Sequence, residues 1–138
     1  MKINCRKINL VFIAALSVAL SSCHDHRLEN KTFDISRGWY LAKYELNNGD
    51  STLYYGTIIS GYNITFTEAG TYSESYLYFG VPVASNGFYY FQDNLAQLVI
   101  SDEDTTRVYD IIELSPQHLT IELVNTPDDK DVFFLEPL

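Results

Sequence analysis

The chain has 138 residues, enough for one compact domain, and its 18 acidic against nine basic residues give a formal charge of −9. This negative charge opposes contact with phosphate backbones and excludes nucleic-acid binding. The two cysteines, Cys5 and Cys23, lie near the amino terminus, so the remaining chain has no disulfide, cysteine nucleophile or cysteine metal site.

The first 22 residues have the layout of a secretory signal peptide. Lys2, Arg6 and Lys7 precede an apolar run from Leu10 to Leu20, and this stretch contains no acid. The run is shorter than the roughly 20 apolar residues that a membrane-spanning helix needs. We therefore expect residues 1–22 to be a lipoprotein signal peptide that is removed.

The apolar run ends in Leu20-Ser21-Ser22-Cys23, which resembles the lipobox of bacterial lipoproteins. The resemblance implies cleavage before Cys23, a diacylglycerol on its thiol and a further acyl chain, such as palmitate, on the new amino terminus. Two or more acyl chains anchor a protein stably in a bilayer, whereas one is marginal. Residue 24 is His, not the Asp of the inner-membrane retention signal, so we expect an outer-membrane lipoprotein at the periplasmic face or the cell surface.

Residues 23–36 are polar and show no alternation of apolar residues. This composition predicts a polar tether that holds the following domain, residues 37–138, off the bilayer. His24 and His26 lie in the predicted tether, and we interpret them as solvated residues and not as metal ligands.

The chain after residue 37 is rich in tyrosine, phenylalanine and β-branched residues, which favour strands. Short apolar stretches separated by turn residues recur about every ten residues, a spacing typical of an antiparallel meander. The predicted strands are Trp39–Leu46, Thr52–Ile59, Tyr62–Thr67, Tyr72–Phe79, Phe88–Gln92, Leu95–Ile100, Arg107–Leu114, Leu119–Asn125 and Val132–Leu135, with Ser85-Asn86-Gly87 among the predicted turns.

Several of these stretches alternate cleanly between apolar and polar residues. Ile64 and Phe66 share one face, and Leu119, Ile121 and Leu123 share another. A sheet with one apolar face must bury it by closing into a barrel or by packing on a second sheet. We predict an all-β fold, an antiparallel up-and-down barrel of about eight strands, with a β-sandwich as the alternative.

Three segments resemble the lipocalin-like lipoproteins of Bacteroidetes. They are Gly38-Trp39-Tyr40, which opens the first strand, Ile64 to Tyr72, which contains the sequence Thr65-Phe66-Thr67-Glu68-Ala69-Gly70-Thr71-Tyr72, and the hairpin sequence from Tyr109 to Ile121. The resemblance covers nearly the whole domain and implies a lipocalin-like barrel. Function in that family is uncharacterised, so the resemblance implies no activity.

The domain has no sequence signature of catalysis. It lacks a Gly-rich phosphate loop, a Gly-x-Ser-x-Gly elbow and a His-Glu-x-x-His stretch. His118 lies beside a predicted turn, and we interpret the acidic clusters at 102–104 and 128–131 as solvated loops because neither has the glycine of a calcium loop. We expect no enzymatic activity, no metal and no cofactor.

Two functions remain open, and both depend on the aromatic residues. If these side chains point inward, they could line a pocket for a small hydrophobic or amphipathic ligand. The candidate lining residues are Trp39, Phe66, Tyr72, Tyr76, Tyr78 and Tyr89. If the rings fill the barrel, the protein is instead an interaction module of the cell envelope, an accessory subunit or inhibitor of another protein.

Ser51 and Thr105 each follow an aspartate and precede a threonine, in Asp50-Ser51-Thr52 and Asp104-Thr105-Thr106. These triplets resemble the O-glycosylation acceptors of exported Bacteroidetes proteins. The resemblance makes both hydroxyls candidate glycosylation sites.

Overall fold

The structure is a computed structural model and describes residues 26–124 and 129–138. The predicted signal peptide, lipobox and acylated Cys23 lie outside the described residues, as does His24. In the described part, the elements are α1 (His26–Ile35), β1 (Gly38–Leu46), β2 (Gly49–Asp50), α2 (Thr52–Ile58), β3 (Ile59–Phe66), β4 (Thr71–Tyr78), β5 (Val81–Gln92), β6 (Gln97–Ser101), β7 (Thr106–Leu114), β8 (Leu119–Leu123) and β9 (Asp131–Pro137).

The strands form one antiparallel sheet that closes on itself. Each long strand pairs with the next long strand along the chain, and β1 pairs with β3 on one side and β9 on the other. Trp39 of β1 is thus opposite both Ile64 and Pro137. Eight strands close the barrel, while the two-residue β2 only extends the hairpin from β1. The predicted up-and-down barrel is confirmed, and the sandwich alternative is wrong.

The turn between β4 and β5 differs from the prediction. Phe79 and Gly80 both have positive φ, 48° and 82°, which is the backbone of a two-residue hairpin turn. The predicted turn at Ser85-Asn86-Gly87 is wrong, because these residues lie within the twelve-residue strand β5. Gly87 is needed there for a close approach and not for a turn: a Cβ on it would lie 2.1 Å from the carbonyl oxygen of Ser101.

Gly87→Ala is expected to lower the free energy of unfolding by about 2 kcal/mol, because the backbone of β6 must shift to admit the methyl group. Equilibrium urea unfolding measures this change. Gly56→Ala is the matched control: a Cβ at Gly56 meets no atom within 4 Å, and alanine favours the helix in which Gly56 lies. Equal losses for the two variants would contradict this explanation.

The predicted strand Thr52–Ile59 is wrong over most of its length, since Thr52–Ile58 is helix α2. Its tyrosine and isoleucine content indicates a strand, but local hydrogen bonds start a helix here. The Asp50 carboxylate accepts hydrogen bonds from both the backbone N–H and the hydroxyl of Thr52, at 3.0 and 2.7 Å. Packing of Tyr55 on the barrel then outweighs the strand preference of the segment.

The predicted polar tether is wrong from residue 26 onward, because His26–Ile35 is helix α1 and lies against one end of the barrel. The Trp39 indole donates to the Ile35 carbonyl at 2.9 Å, and the Lys31 ammonium donates to the Leu95 carbonyl at 2.6 Å. Only Ile35 of this helix is buried. A single buried apolar position leaves almost no periodic signal in the sequence, which explains why the segment resembles a tether.

The core fills the half of the barrel beside α1. It consists of the buried residues Ile35, Trp39, Ile64, Phe66, Tyr72, Tyr89, Leu98, Ile100, Tyr109, Leu119, Ile121 and Leu135. Most of them alternate with outward-facing residues along their strands, as a half-buried sheet requires. Neither helix in the described ranges is both long and apolar enough to cross a membrane.

Candidate functional site

The predicted lining residues fall into two groups. Trp39, Phe66, Tyr72 and Tyr89 are buried together in the core beside α1, where the rings of Phe66 and Tyr89 meet edge to face at 5.0 Å. Tyr76 and Tyr78 lie further along β4, towards the end of the barrel where α2 packs. Tyr76 is partly buried, whereas Tyr78 is exposed beside the hairpin turn.

We call this second end the barrel mouth. It is formed by the carboxyl end of β1, the amino ends of β3 and β9 and the hairpin of β4 and β5, and α2 lies over it. Because β1 begins beside α1 and ends beside α2, the mouth is opposite the end that α1 covers.

A buried ion pair lies inside the barrel between the core and the mouth. Glu74 of β4 and Arg107 of β7 form two hydrogen bonds, Nη2 to Oε1 at 2.7 Å and Nη1 to Oε2 at 3.2 Å. The Glu74 side chain is 5% exposed and that of Arg107 is 27% exposed. Glu74 follows Tyr72 on the inner face of β4, and Arg107 precedes Tyr109 on the inner face of β7. The paired geometry fixes both side chains, and the Arg107 side chain stays partly exposed.

Tyrosine hydroxyls surround this pair. Tyr62 of β3 donates to Glu74 Oε2 at 2.9 Å, and its ring stacks on that of Tyr76 at 5.9 Å between centroids. Burial, together with the Glu74 charge, raises the pKa of Tyr62 well above its ordinary value. Burial also raises the pKa of Tyr109 to about 12, although the Arg107 charge opposes the shift. These phenols therefore stay protonated at neutral pH and can act as hydrogen-bond donors.

Alkaline titration is expected to destabilise the protein in a defined window. The pKa of Tyr109 is raised from 10.0 to about 12 in the fold, so the unfolded chain releases this proton first. The stabilisation is complete below pH 10 and is lost as the pH rises towards 12. Melting temperatures from pH 8 to 12 should fall less steeply for Tyr109→Phe than for the exposed control Tyr90→Phe. Parallel curves for the two variants would show that Tyr109 is not responsible.

Helix α2 covers the mouth through one side chain. The Tyr55 ring stacks on Tyr44 at 4.3 Å between centroids and meets Phe133 nearly edge-on at 6.0 Å. Tyr44 in turn donates to the Asp131 carboxylate at 2.7 Å. No residue of α2 is buried, and Leu53 is 90% exposed.

Two surface clefts lie near the ends of the barrel. One of about 430 Å³ is lined by α1 and Glu68, on the side away from the mouth. The other, of about 330 Å³, runs along β4 and β5, and Tyr76 and Val83 line it. The other residues that line this second cleft are Gly61, Ser75, Leu77, Pro82 and Ala84, and Glu74 and Arg107 are not among them.

The remaining sequence candidates lie on the surface. Ser51 precedes α2, and Thr105 is exposed in the turn before β7, where its hydroxyl donates to Asp102. Glycosylation of either residue stays a prediction that intact-mass measurement tests. Backbone N–H groups of its own turn and, at 3.0 Å, the Ser85 hydroxyl donate to the Asp102 carboxylate, and together they lower its pKa. His118 is exposed in the turn after β7, and in the described residues no three His, Cys, Asp or Glu side chains are grouped to hold a metal ion.

Glu74 and Arg107 are site residues that the sequence analysis does not identify. A usable signal exists, because Glu74 lies between Tyr72 and Tyr76 at a spacing of two. A charged residue that shares a strand face with aromatic residues is expected to be buried and to need a partner. Identifying Arg107 as that partner requires the order of the strands around the barrel.

The sequence matches no family model and no curated protein. Solved structures of similar fold include a lipocalin-like protein from Bacteroides uniformis ATCC 8492, with a TM-score of 0.54 and 16% sequence identity. The match covers 76% of this chain and 99% of that chain. The barrel described here therefore has a lipocalin-like fold.

Proposed function

We propose that the protein binds a small amphipathic ligand at the barrel mouth, with the polar group of the ligand directed at Arg107. The single observation that carries this proposal is the Glu74–Arg107 pair inside the barrel. Burying two charges costs free energy that their attraction offsets only in part, and apolar residues of similar size often stabilise a core as well or better. A charge pair at this position therefore has little value as a means of stabilisation, but it provides a fixed polar group for recognition.

The surroundings of the pair fit an amphipathic ligand. The Arg107 guanidinium has several N–H groups, and those that Glu74 and Tyr109 do not occupy can donate to an acceptor atom of the ligand. Tyr44, Tyr76 and Phe133 provide aromatic walls for the apolar part. Pockets that combine apolar walls with a few oriented polar groups are typical of small-molecule sites.

The proposal is tested with 1-anilinonaphthalene-8-sulfonate, an amphipathic fluorescent probe with an aromatic ring system. We expect saturable probe fluorescence. The double variant Glu74→Leu with Arg107→Met should keep the fold and bind the probe about tenfold more weakly, a change of about 1.4 kcal/mol. Phe88→Ala, on the outer surface of β5, is the matched control. Unchanged probe affinity in the double variant would place binding elsewhere.

A second candidate function is an envelope interaction module, and one observation favours it. Exposed apolar residues lie around the mouth on α2 and on the hairpin of β4 and β5: Leu53, Tyr54, Tyr78, Phe79 and Val81. Such a cluster is typical of a protein contact surface. If this function is correct, the wild-type protein should retain a specific envelope partner in pull-down experiments, and the double variant Leu53→Ser with Phe79→Ser should lose it. The wild-type protein should then show no probe binding at the mouth.

The proposed attachment is a lipid anchor on Cys23 in the outer membrane, at the periplasmic face or the cell surface. It is supported by the lipobox-like sequence, and α1 begins only three residues after Cys23. The anchor would then lie near the end of the barrel that α1 covers, and the mouth would face away from the bilayer. Intact-mass measurement should show acyl increments that are lost in Cys23→Ser, together with loss of the protein from the outer-membrane fraction.

A further inference from the structure

We propose that Tyr55 is an internal plug whose ring occupies the position of the ligand, and that the ligand carries a phenol-like group, a planar ring with an uncharged polar oxygen. The inference rests on the proposed function and names its ligand class. Binding would then exchange one ring for another, with α2 moving away from the mouth.

The contacts of Tyr55 show what this position accepts. Its ring lies face to face with Tyr44, tilted by 30°, and almost perpendicular to Phe133, at 82°. Tyr44 and Phe133 themselves lie 5.3 Å apart between centroids, so the two rings form a corner. Stacked and edge-to-face arrangements are those that aromatic pairs prefer. An incoming six-membered ring regains both contacts, whereas a linear acyl chain does not.

The polar end of the plug narrows the ligand class further. Burial raises the pKa of the Tyr55 hydroxyl, and the neighbouring groups that add to this shift are Tyr109, Tyr44, Tyr76 and Glu74. Of these groups only Glu74 is charged at neutral pH, and its carboxylate disfavours a negative charge at this point. A ligand that replaces the phenol therefore fits best with a neutral hydroxyl, and a carboxylate there would be repelled by Glu74.

Few contacts hold helix α2, which carries Tyr55, on the barrel, so the Tyr55 ring can move away from the mouth. Helix α2 has seven residues, none of them buried, and Ser51 makes no side-chain capping bond to it. Gly56 follows the plug directly and lowers the stability of the helix. The helix is tied at its ends, by Thr52 to the backbone of Tyr44 and by the Ile58 carbonyl to Phe79 N–H. Between these ends, Tyr55 makes the ring contacts with the barrel.

The test is replacement of the plug by a free molecule of the same shape. Tyr55→Ala leaves a ring-sized space in the corner that Tyr44 and Phe133 form, and p-cresol is the tyrosine side chain as a separate molecule. We would titrate p-cresol calorimetrically into the full chain in lipid nanodiscs, with empty nanodiscs subtracted. We expect Tyr55→Ala to bind p-cresol at least about tenfold more tightly than wild type. Toluene and 4-methylbenzoate should bind the variant more weakly than p-cresol.

Tyr54→Ala is the matched control, because Tyr54 is the neighbouring tyrosine of α2 and is exposed. It should bind p-cresol no better than wild type. Equal p-cresol affinity in the two variants, or tighter binding of 4-methylbenzoate than of p-cresol, would overturn the proposal. If Tyr55→Ala does not fold, amide hydrogen exchange of the wild-type protein tests the proposal instead. Saturating p-cresol should speed the exchange of residues 52–58. Unchanged exchange in this segment would overturn the proposal that Tyr55 is a plug.

The two proposals fail in different ways. If wild type binds 1-anilinonaphthalene-8-sulfonate at the mouth but Tyr55→Ala gains no affinity for p-cresol, the binding function stands and the plug is wrong. If Tyr55→Ala binds p-cresol but wild type binds neither compound, the ring position is correct and the binding function of the native chain is wrong.

Discussion

Replacing Trp39 with alanine is expected to lower the free energy of unfolding by about 4 kcal/mol, the largest effect of any substitution considered. Trp39 has no exposed surface and belongs to the core beside α1. Its removal leaves a cavity in this core, beside its register partner Ile64, that the closed barrel cannot fill. It also removes the indole N–H that donates to the Ile35 carbonyl, so α1 loses a buried hydrogen bond to the barrel.

The control for Trp39 is Tyr40→Ala. Tyr40 is the next residue of β1 and points outward, where its hydroxyl donates to Glu136. We expect Tyr40→Ala to cost less than about 1 kcal/mol, as is usual for an exposed position. Urea unfolding monitored by far-UV circular dichroism compares the two. Similar midpoints would show that Trp39 is not a principal element of the core.

Replacing Glu74 with alanine is expected to cost about 3 kcal/mol, because the Arg107 guanidinium then stays in the barrel without its partner. Glu74 is almost fully buried and also accepts the Tyr62 hydroxyl, so its removal leaves a second polar group without its acceptor. By contrast, Glu74→Leu combined with Arg107→Met removes both charges and leaves only the Tyr62 hydroxyl without its acceptor, and we expect its stability to lie within about 2 kcal/mol of wild type.

This pair of variants separates two roles of the ion pair. If it is retained for recognition, the double variant folds but loses affinity for the amphipathic probe. A cost for the double variant as large as that of Glu74→Ala would instead assign the pair a stabilising role. Glu113→Ala, at an exposed position of β7, is the control for removing an acid, and a change of no more than about 0.5 kcal/mol is expected.

The apolar–polar pattern predicts much of this fold, because each strand of a barrel has one inner and one outer face. Ile64 and Phe66, like Leu119 and Ile121, are apolar residues two positions apart with a polar residue between them. This alternation is sufficient to predict strands and the face that each strand buries. Short links between consecutive strands then favour a meander, and the structure has one. For the aromatic residues Trp39, Phe66, Tyr72 and Tyr89 the sequence leaves open which face points inward, and the structure buries all four.

The pattern fails where tertiary contacts outweigh local preference. Residues 52–58 have the composition of a strand but form a helix, because Tyr55 packs against Tyr44 and Phe133, which come from opposite ends of the domain sequence. Residues 26–35 have the composition of a tether, but hydrogen bonds to Trp39 and Leu95 hold them as a helix. In each segment at least one deciding partner is distant in sequence: Phe133 for Tyr55 and Leu95 for Lys31.

The sequence and the tertiary structure thus determine different properties of this protein. Length, charge, the two cysteines and the alternation of apolar residues are properties of single positions and short windows, and they suffice to predict one acidic all-β barrel behind a lipobox-like segment. The ion pair between Glu74 and Arg107, the phenols around it and the plug formed by Tyr55 exist only because closure of the sheet brings β1, β3, β4, β7 and β9 around one interior. Residues separated by 33 positions become hydrogen-bonded partners in that interior, and no local pattern records such a contact.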